Sequence, residues 1–146
     1  MLETQRRQHG FTLVEILIVV VILGILAAIV VPQFVNATEE ASKKAALNEV
    51  LKLRRVIEVY QVRNNNVLPD ISEGDRTFGS LVSGTGRYLT KAPVNPYVGN
   101  ANKGTIVFGT GPDAVYQTDH AWIYDPSTGS IWAGSFDASD DPLPKN

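Results

Sequence analysis

Residues 9–33 read HGFTLVEILIVVVILGILAAIVVPQ, and how this stretch is read decides the fold. From Phe11 to Val31 the run is apolar apart from Thr12, Gly24 and one carboxylate, Glu15. As a helix it would span roughly 31 Å at ~1.5 Å per residue, matching the ~30 Å hydrocarbon core of a bilayer. A cleavable secretory signal has a shorter apolar region, about 7–15 residues, followed by small residues at the cut. A cut after Ala28 would place bulky Leu26 where a small side chain is needed. The stretch therefore predicts a membrane-spanning helix. Arg6 and Arg7 on one side tie by count with Lys43 and Lys44 on the other. Nearness to the span favours Arg6 and Arg7 on the cytoplasmic side, with the large carboxyl-terminal part exported.

Glu15 is the anomaly. A carboxylate in hydrocarbon is penalised unless it snorkels to the interface or finds a partner. Arg6 and Arg7 lie more than two helical turns away, so the chain as written offers no nearby positive charge. A cut between Gly10 and Phe11 would supply one. It creates an α-amine, ordinarily of pKa ~7.7–8.0 and mostly protonated near neutrality, one turn from Glu15.

Working outward, Pro32 lacks an N–H and clashes with the carbonyl of Ala28, so it kinks or ends a helix. Gly24, two turns earlier, weakens the same region. Yet residues 33–63 keep a helical period: Ala46, Val50, Leu53, Ile57 and Tyr60 fall on one stripe. Glu39–Lys43 and Glu40–Lys44 are i,i+4 pairs in the favourable order. One long, bent helix over residues 11–63 is predicted, with 24–32 the part expected to loosen.

Beyond it, RNNNVLPDISEGDRTFGSL is a helix stop and a turn-rich loop. The segments GTIVFGT, AVYQT, AWIYD and SIWAG read as short strands, and WIYDPSTGSIW as a hairpin turning at Asp125–Gly129. Trp122, Tyr124 and Trp132 alternate with their neighbours, a pattern of sheet packing. The fold class expected is α+β: a long bent amino-terminal helix, its first half membrane-spanning, packed on a small antiparallel sheet of three or four strands. The divisions expected are a leader at 1–10, a membrane helix at 11–32, an amphipathic stem at 33–63, a β-rich head at 64–136 and a polar, frayed tail at 137–146.

Composition narrows function. Formal net charge is −2. Residues 38–63 carry six Lys or Arg against four Glu, and 64–146 five against nine acidic residues. That balance argues against a surface that reads phosphates, so no nucleic-acid partner is expected. There is no cysteine, so packing, turns or a bound ion must hold the head. A processed chain would keep a single histidine, and no G-x-S-x-G, H-E-x-x-H or P-loop string occurs. An enzyme is not expected.

Arg6-Arg7, then Gly10-Phe11-Thr12-Leu13-Val14-Glu15, then the apolar run, resembles the processing signature of type IV pilins and type II secretion pseudopilins. Tyr88-Leu89-Thr90-Lys91 leading to Pro93 and Pro96 looks most like the major pseudopilins, although Asn95 and Tyr97 stand where that group has aspartate and tryptophan. The resemblance implies a pilin-like fold and cleavage between Gly10 and Phe11. A membrane-embedded prepilin peptidase would make the cut and also methylate the Phe11 amine. It implies that Glu15 engages the terminal amine of a neighbouring subunit during assembly. The partners implied are further copies of the chain, other pseudopilins and an inner-membrane assembly platform. The place implied is the bacterial inner membrane, single-pass, with the head in the periplasm or outside the cell. The function implied is a subunit of a periplasmic pseudopilus for protein secretion. The alternative is a surface pilus for adhesion, motility or DNA uptake, and the absence of paired cysteines tilts towards the pseudopilin. Major pseudopilins often hold calcium in a late loop; Asp113 and Asp119 fall there as weak candidates, with plain turn chemistry favoured and no other cofactor expected.

Overall fold

The structure is a computed structural model and describes residues 10–83, 86 and 88–145. Residues 1–9 of the expected leader, Arg6 and Arg7 included, lie outside the described residues. One helix, α1, covers Leu13–Arg63 and continues through Gly24 and Pro32. The chain divides into two compact units between Thr38 and Glu39.

In the first unit every described residue from Gly10 to Thr38 is exposed. Its apolar window has a mean hydropathy of 3.3, long and apolar enough to cross a membrane. Val and Ile, abundant here, are mediocre helix formers in water. In lipid the choice reverses, because an unbonded N–H or C=O has no water to turn to and a helix bonds nearly all of them internally.

In the second unit, α1 turns a stripe of Ala46, Val50, Leu53 and Ile57 into the core, at the spacing the sequence predicts. Each fully buried Val, Leu or Ile contributes about 1.5–3 kcal/mol relative to exposure. Tyr60 is half-buried and meets Tyr88 edge-on, with ring centroids 5.2 Å apart. The stripe joins one apolar cluster with Phe78, Leu81, Tyr97, Ile106, Trp122, Tyr124, Ile131 and Phe136.

The sheet has three strands, β1 (Ile106–Phe108), β2 (Trp122–Tyr124) and β3 (Ile131–Ala133), in that spatial order. β2 and β3 form the expected antiparallel hairpin, with Ile123 opposite Trp132. β1 and β2 run parallel, with Ile106 opposite Trp122, so the sheet is mixed rather than antiparallel. The reason lies in residues 114–118, expected as a strand. Their polar groups bond side chains instead of a ladder: Gln117 N donates to Ser135 Oγ at 2.9 Å, and Asn102 Nδ2 donates to the Thr118 carbonyl at 2.8 Å. Residues 109–121 thus form an irregular crossover, long enough to bring the chain back in the same direction. Trp122 and Tyr124 face the core, whereas Trp132, in register with Ile123, lies on the other face and is half-buried.

The hairpin turn is closed by Asp125. Its Oδ1 accepts from Ser127 N at 2.8 Å and from Ser127 Oγ, while Oδ2 accepts from Thr128 Oγ1 at 2.9 Å. Gly129 has φ +78°, and a Cβ there would overlap Leu68, so both backbone and space require glycine.

The end of the chain is polar in composition but tied down, unlike the frayed tail expected. Arg54 on α1 grips Asp140 with two nitrogens, at 2.5 and 2.8 Å, and its Nε donates to the Ile131 carbonyl at 3.1 Å. Phe136 is buried and pairs with Pro142, Leu143 N donates to the Ser135 carbonyl, and Tyr97 Oη donates to the Leu143 carbonyl at 2.6 Å. A two-pronged arginine and one buried phenyl ring outweigh the fraying tendency of a polar terminus.

Candidate functional site

Gly10, Phe11 and Thr12 lie before the helix without regular structure, and all three are exposed. The Gly10–Phe11 bond is therefore exposed and outside the helix, where a peptidase cleft can reach it. Helix α1 starts one residue after Thr12.

Thr12 and Glu15 make a reciprocal cap. Thr12 N donates to Glu15 Oε2 at 2.7 Å, Thr12 Oγ1 donates to the same oxygen at 2.8 Å, and Glu15 N donates back to Thr12 Oγ1 at 3.2 Å. This is the capping box T-x-x-E: two donors left over at the helix start are satisfied by side chains, and the carboxylate sits at the positive end of the helix dipole. The pattern is visible in the sequence as Thr12-Leu13-Val14-Glu15, and the reading above passed over it. Among the described residues Oε1 of Glu15 accepts no hydrogen bond, so half of the carboxylate faces outward. Glu15 is thus a helix cap within its own chain, and its Oε1 takes no part in that cap.

The head places the two calcium candidates differently. Asp113 is mostly buried and enclosed by donors: Ser135 N at 2.7 Å and Gln117 Nε2 at 2.8 Å, both on Oδ2. His120 Nε2 lies 3.2 Å from Oδ1, at ion-pair distance but outside hydrogen-bond alignment. Burial acts to raise the Asp113 pKa. The nearby His120 imidazole and the bonds from Ser135 N and Gln117 outweigh it and hold the carboxyl below its ordinary value. Asp119 is exposed, and only its backbone N joins the cluster, donating to Gln117 Oε1. Among the described residues no three His, Asp or Glu side chains gather as a metal site. Calcium takes six to eight oxygens, and a carboxylate with two N–H donors on one oxygen and an imidazole beside the other fits that need poorly.

Asn95 is a second junction that sequence reasoning missed. It is fully buried; its Oδ1 accepts from Tyr97 N at 3.0 Å, and its Nδ2 donates to the carbonyls of Gly134 and Ala121 at 2.9 and 3.2 Å. The available signal was its place before Pro96, where a side-chain acceptor commonly opens a short helical turn.

A family model described as the prokaryotic N-terminal methylation motif matches residues 5–31, the segment that holds Gly10, Phe11 and Glu15. The type II secretion system core protein G of Dickeya chrysanthemi is 33% identical over 133 residues, covering 79% of this chain and 84% of that protein. Its namesake in Vibrio cholerae serotype O1 is 32% identical over 126 residues, covering 77% and 86%. That of Klebsiella pneumoniae is 29% identical over 129 residues, covering 78% and 91%. No solved structure matches the chain. Similarity that runs through the methylation motif and most of the head, at this identity and coverage, means that the chain belongs to the family of type II secretion system core protein G.

Proposed function

We propose that the chain is a structural subunit of a type II secretion pseudopilus, cut between Gly10 and Phe11 and methylated on the new Phe11 amine. A prepilin peptidase performs both steps, and the chain is its substrate rather than an enzyme. The processed subunit waits in the inner membrane through its first unit, with the head in the periplasm. An assembly platform then adds it to a filament of further copies and other pseudopilins.

The single observation that carries the reading is the local geometry at residues 10–15. An exposed Gly10–Phe11 bond without regular structure stands directly before a helix cap that leaves one oxygen of its carboxylate out. A cationic amine on a neighbouring copy is the complementary group. In lipid a lone carboxylate is penalised and a paired one is not, so the pair sets the register between copies. The apolar surface of residues 11–31, exposed in the isolated chain, is what lipid or neighbouring helices would cover.

Mass spectrometry of the protein isolated from its native membrane tests the reading. The expected amino-terminal peptide begins at Phe11 and carries one added methyl group. A peptide beginning at Met1 with an unmodified amine overturns it.

A further inference from the structure

We infer that Asp113, enclosed by the donors of Gln117, Ser135 and His120, closes the loop of residues 109–121 without a divalent cation. The loop is the crossover between β1 and β2, and its closure decides the parallel pairing of those strands. The groups that close it bond within the chain, except that His120 Nε2, 3.2 Å from Asp113 Oδ1, makes no aligned hydrogen bond. The Gln117 amide is fixed from both ends: Nε2 donates to Asp113 Oδ2 and to the His120 carbonyl, while Oε1 accepts from Asp119 N and His120 N. Reversing it to offer an oxygen towards Asp113 would set acceptor against acceptor at Asp113 and at the His120 carbonyl.

The carbonyls that could complete a cation's shell are also engaged. Gln117 O accepts from Ser135 Oγ, and Ala121 O accepts from Gly134 N at 2.7 Å and from Asn95 Nδ2. Gly134 carries the close approach, since a Cβ there would overlap the His120 carbonyl oxygen. Ser135, fully buried at φ +64°, turns its N–H onto Asp113. Donors converge on Asp113 where a cation would demand acceptors. The His120 ring is the one basic group at ion-pair distance from it among the described residues. Asn95 repeats the pattern at the far side of the same loop, with an amide N–H₂ between two carbonyls where a carboxylate would have nothing to donate.

The test uses the full chain in detergent micelles, with thermal unfolding of the head followed by the fluorescence of Trp122 and Trp132. The expected midpoint is the same in millimolar calcium and in EGTA. A midpoint that rises with calcium, as binding to the folded state alone requires, overturns the inference. Asp113→Asn and His120→Gln are each expected to lower the midpoint by about 2–8 °C, equally in calcium and in EGTA. A drop seen only in calcium would assign Asp113 to a cation and overturn it. Should Asp113→Asn fail to fold, the wild-type comparison and His120→Gln decide: a His120→Gln midpoint equal to that of wild type also counts against the network.

Discussion

Residues 10–38 and residues 39–145 solve the same problem by opposite means. Both must bond their backbone polar groups and remove apolar surface from water. The first unit bonds its backbone within a single helix and leaves every described side chain exposed. The second has nine of its described residues in strands, and ties several loops with side chains: Asp125 in the hairpin, Asn95 before Pro96, Arg54 on residue 140 and Asp113 in the crossover. A segment without internal contacts has its meaning in what surrounds it, so a change there should alter assembly and leave folding alone. A segment built from long-range contacts should behave in the reverse way.

Glu15→Gln is the sharpest attempt to break that contrast. The amide keeps an oxygen to accept from Thr12 but loses the charge that would meet an amine. Filament yield, scored by electron microscopy and shearing, is expected to fall to background, while membrane insertion and head unfolding stay as in wild type. Unchanged filaments would end the pairing role of Glu15.

Leu53→Ala makes the converse test. Leu53 is fully buried against the sheet, so truncation should cost the head about 2–5 kcal/mol. Cleavage at Gly10–Phe11 should proceed at the wild-type rate. A processing defect comparable to the loss of stability would mean that the two regions are not independent.

The smallest expected effect is that of acid on the head. The Asp113 carboxyl is held below its ordinary value when folded, so its contribution is fully present above the unfolded pKa of ~3.9 and is lost as pH falls through the lower folded value. The thermal midpoint of the wild type should therefore fall more steeply than that of Asp113→Asn as pH drops below about 4. Parallel curves would remove the charge from the account of the loop.

Much of this was legible in the order of residues. The apolar run from Phe11 to Val31, the stripe from Ala46 to Ile57 and the turn at Asp125–Gly129 are local patterns, and a local pattern carries its own instruction. The Thr12–Glu15 cap was just as local and was passed over because attention went to the charge. Residues 114–118 show where locality fails. Their alternation suits a strand, yet Gln117 finds Ser135, Asp113 and His120 before it finds a ladder partner, and the sheet becomes mixed.

By itself the sequence determined the helix, its half long and apolar enough to cross a membrane, the methylation motif around Gly10, Phe11 and Glu15, and the side of the stem that is buried. These depend on neighbours within about one helical turn, whose spacing is written in the chain. Only the tertiary structure decided the direction of β1, the anchoring of residues 136–145 and the enclosure of Asp113. Each rests on bonds between residues 16 to 86 positions apart, such as Asn102 with Thr118, Asp113 with Ser135 and Arg54 with Asp140. Partners that far apart are chosen by how the whole core packs, and no short window of sequence contains both.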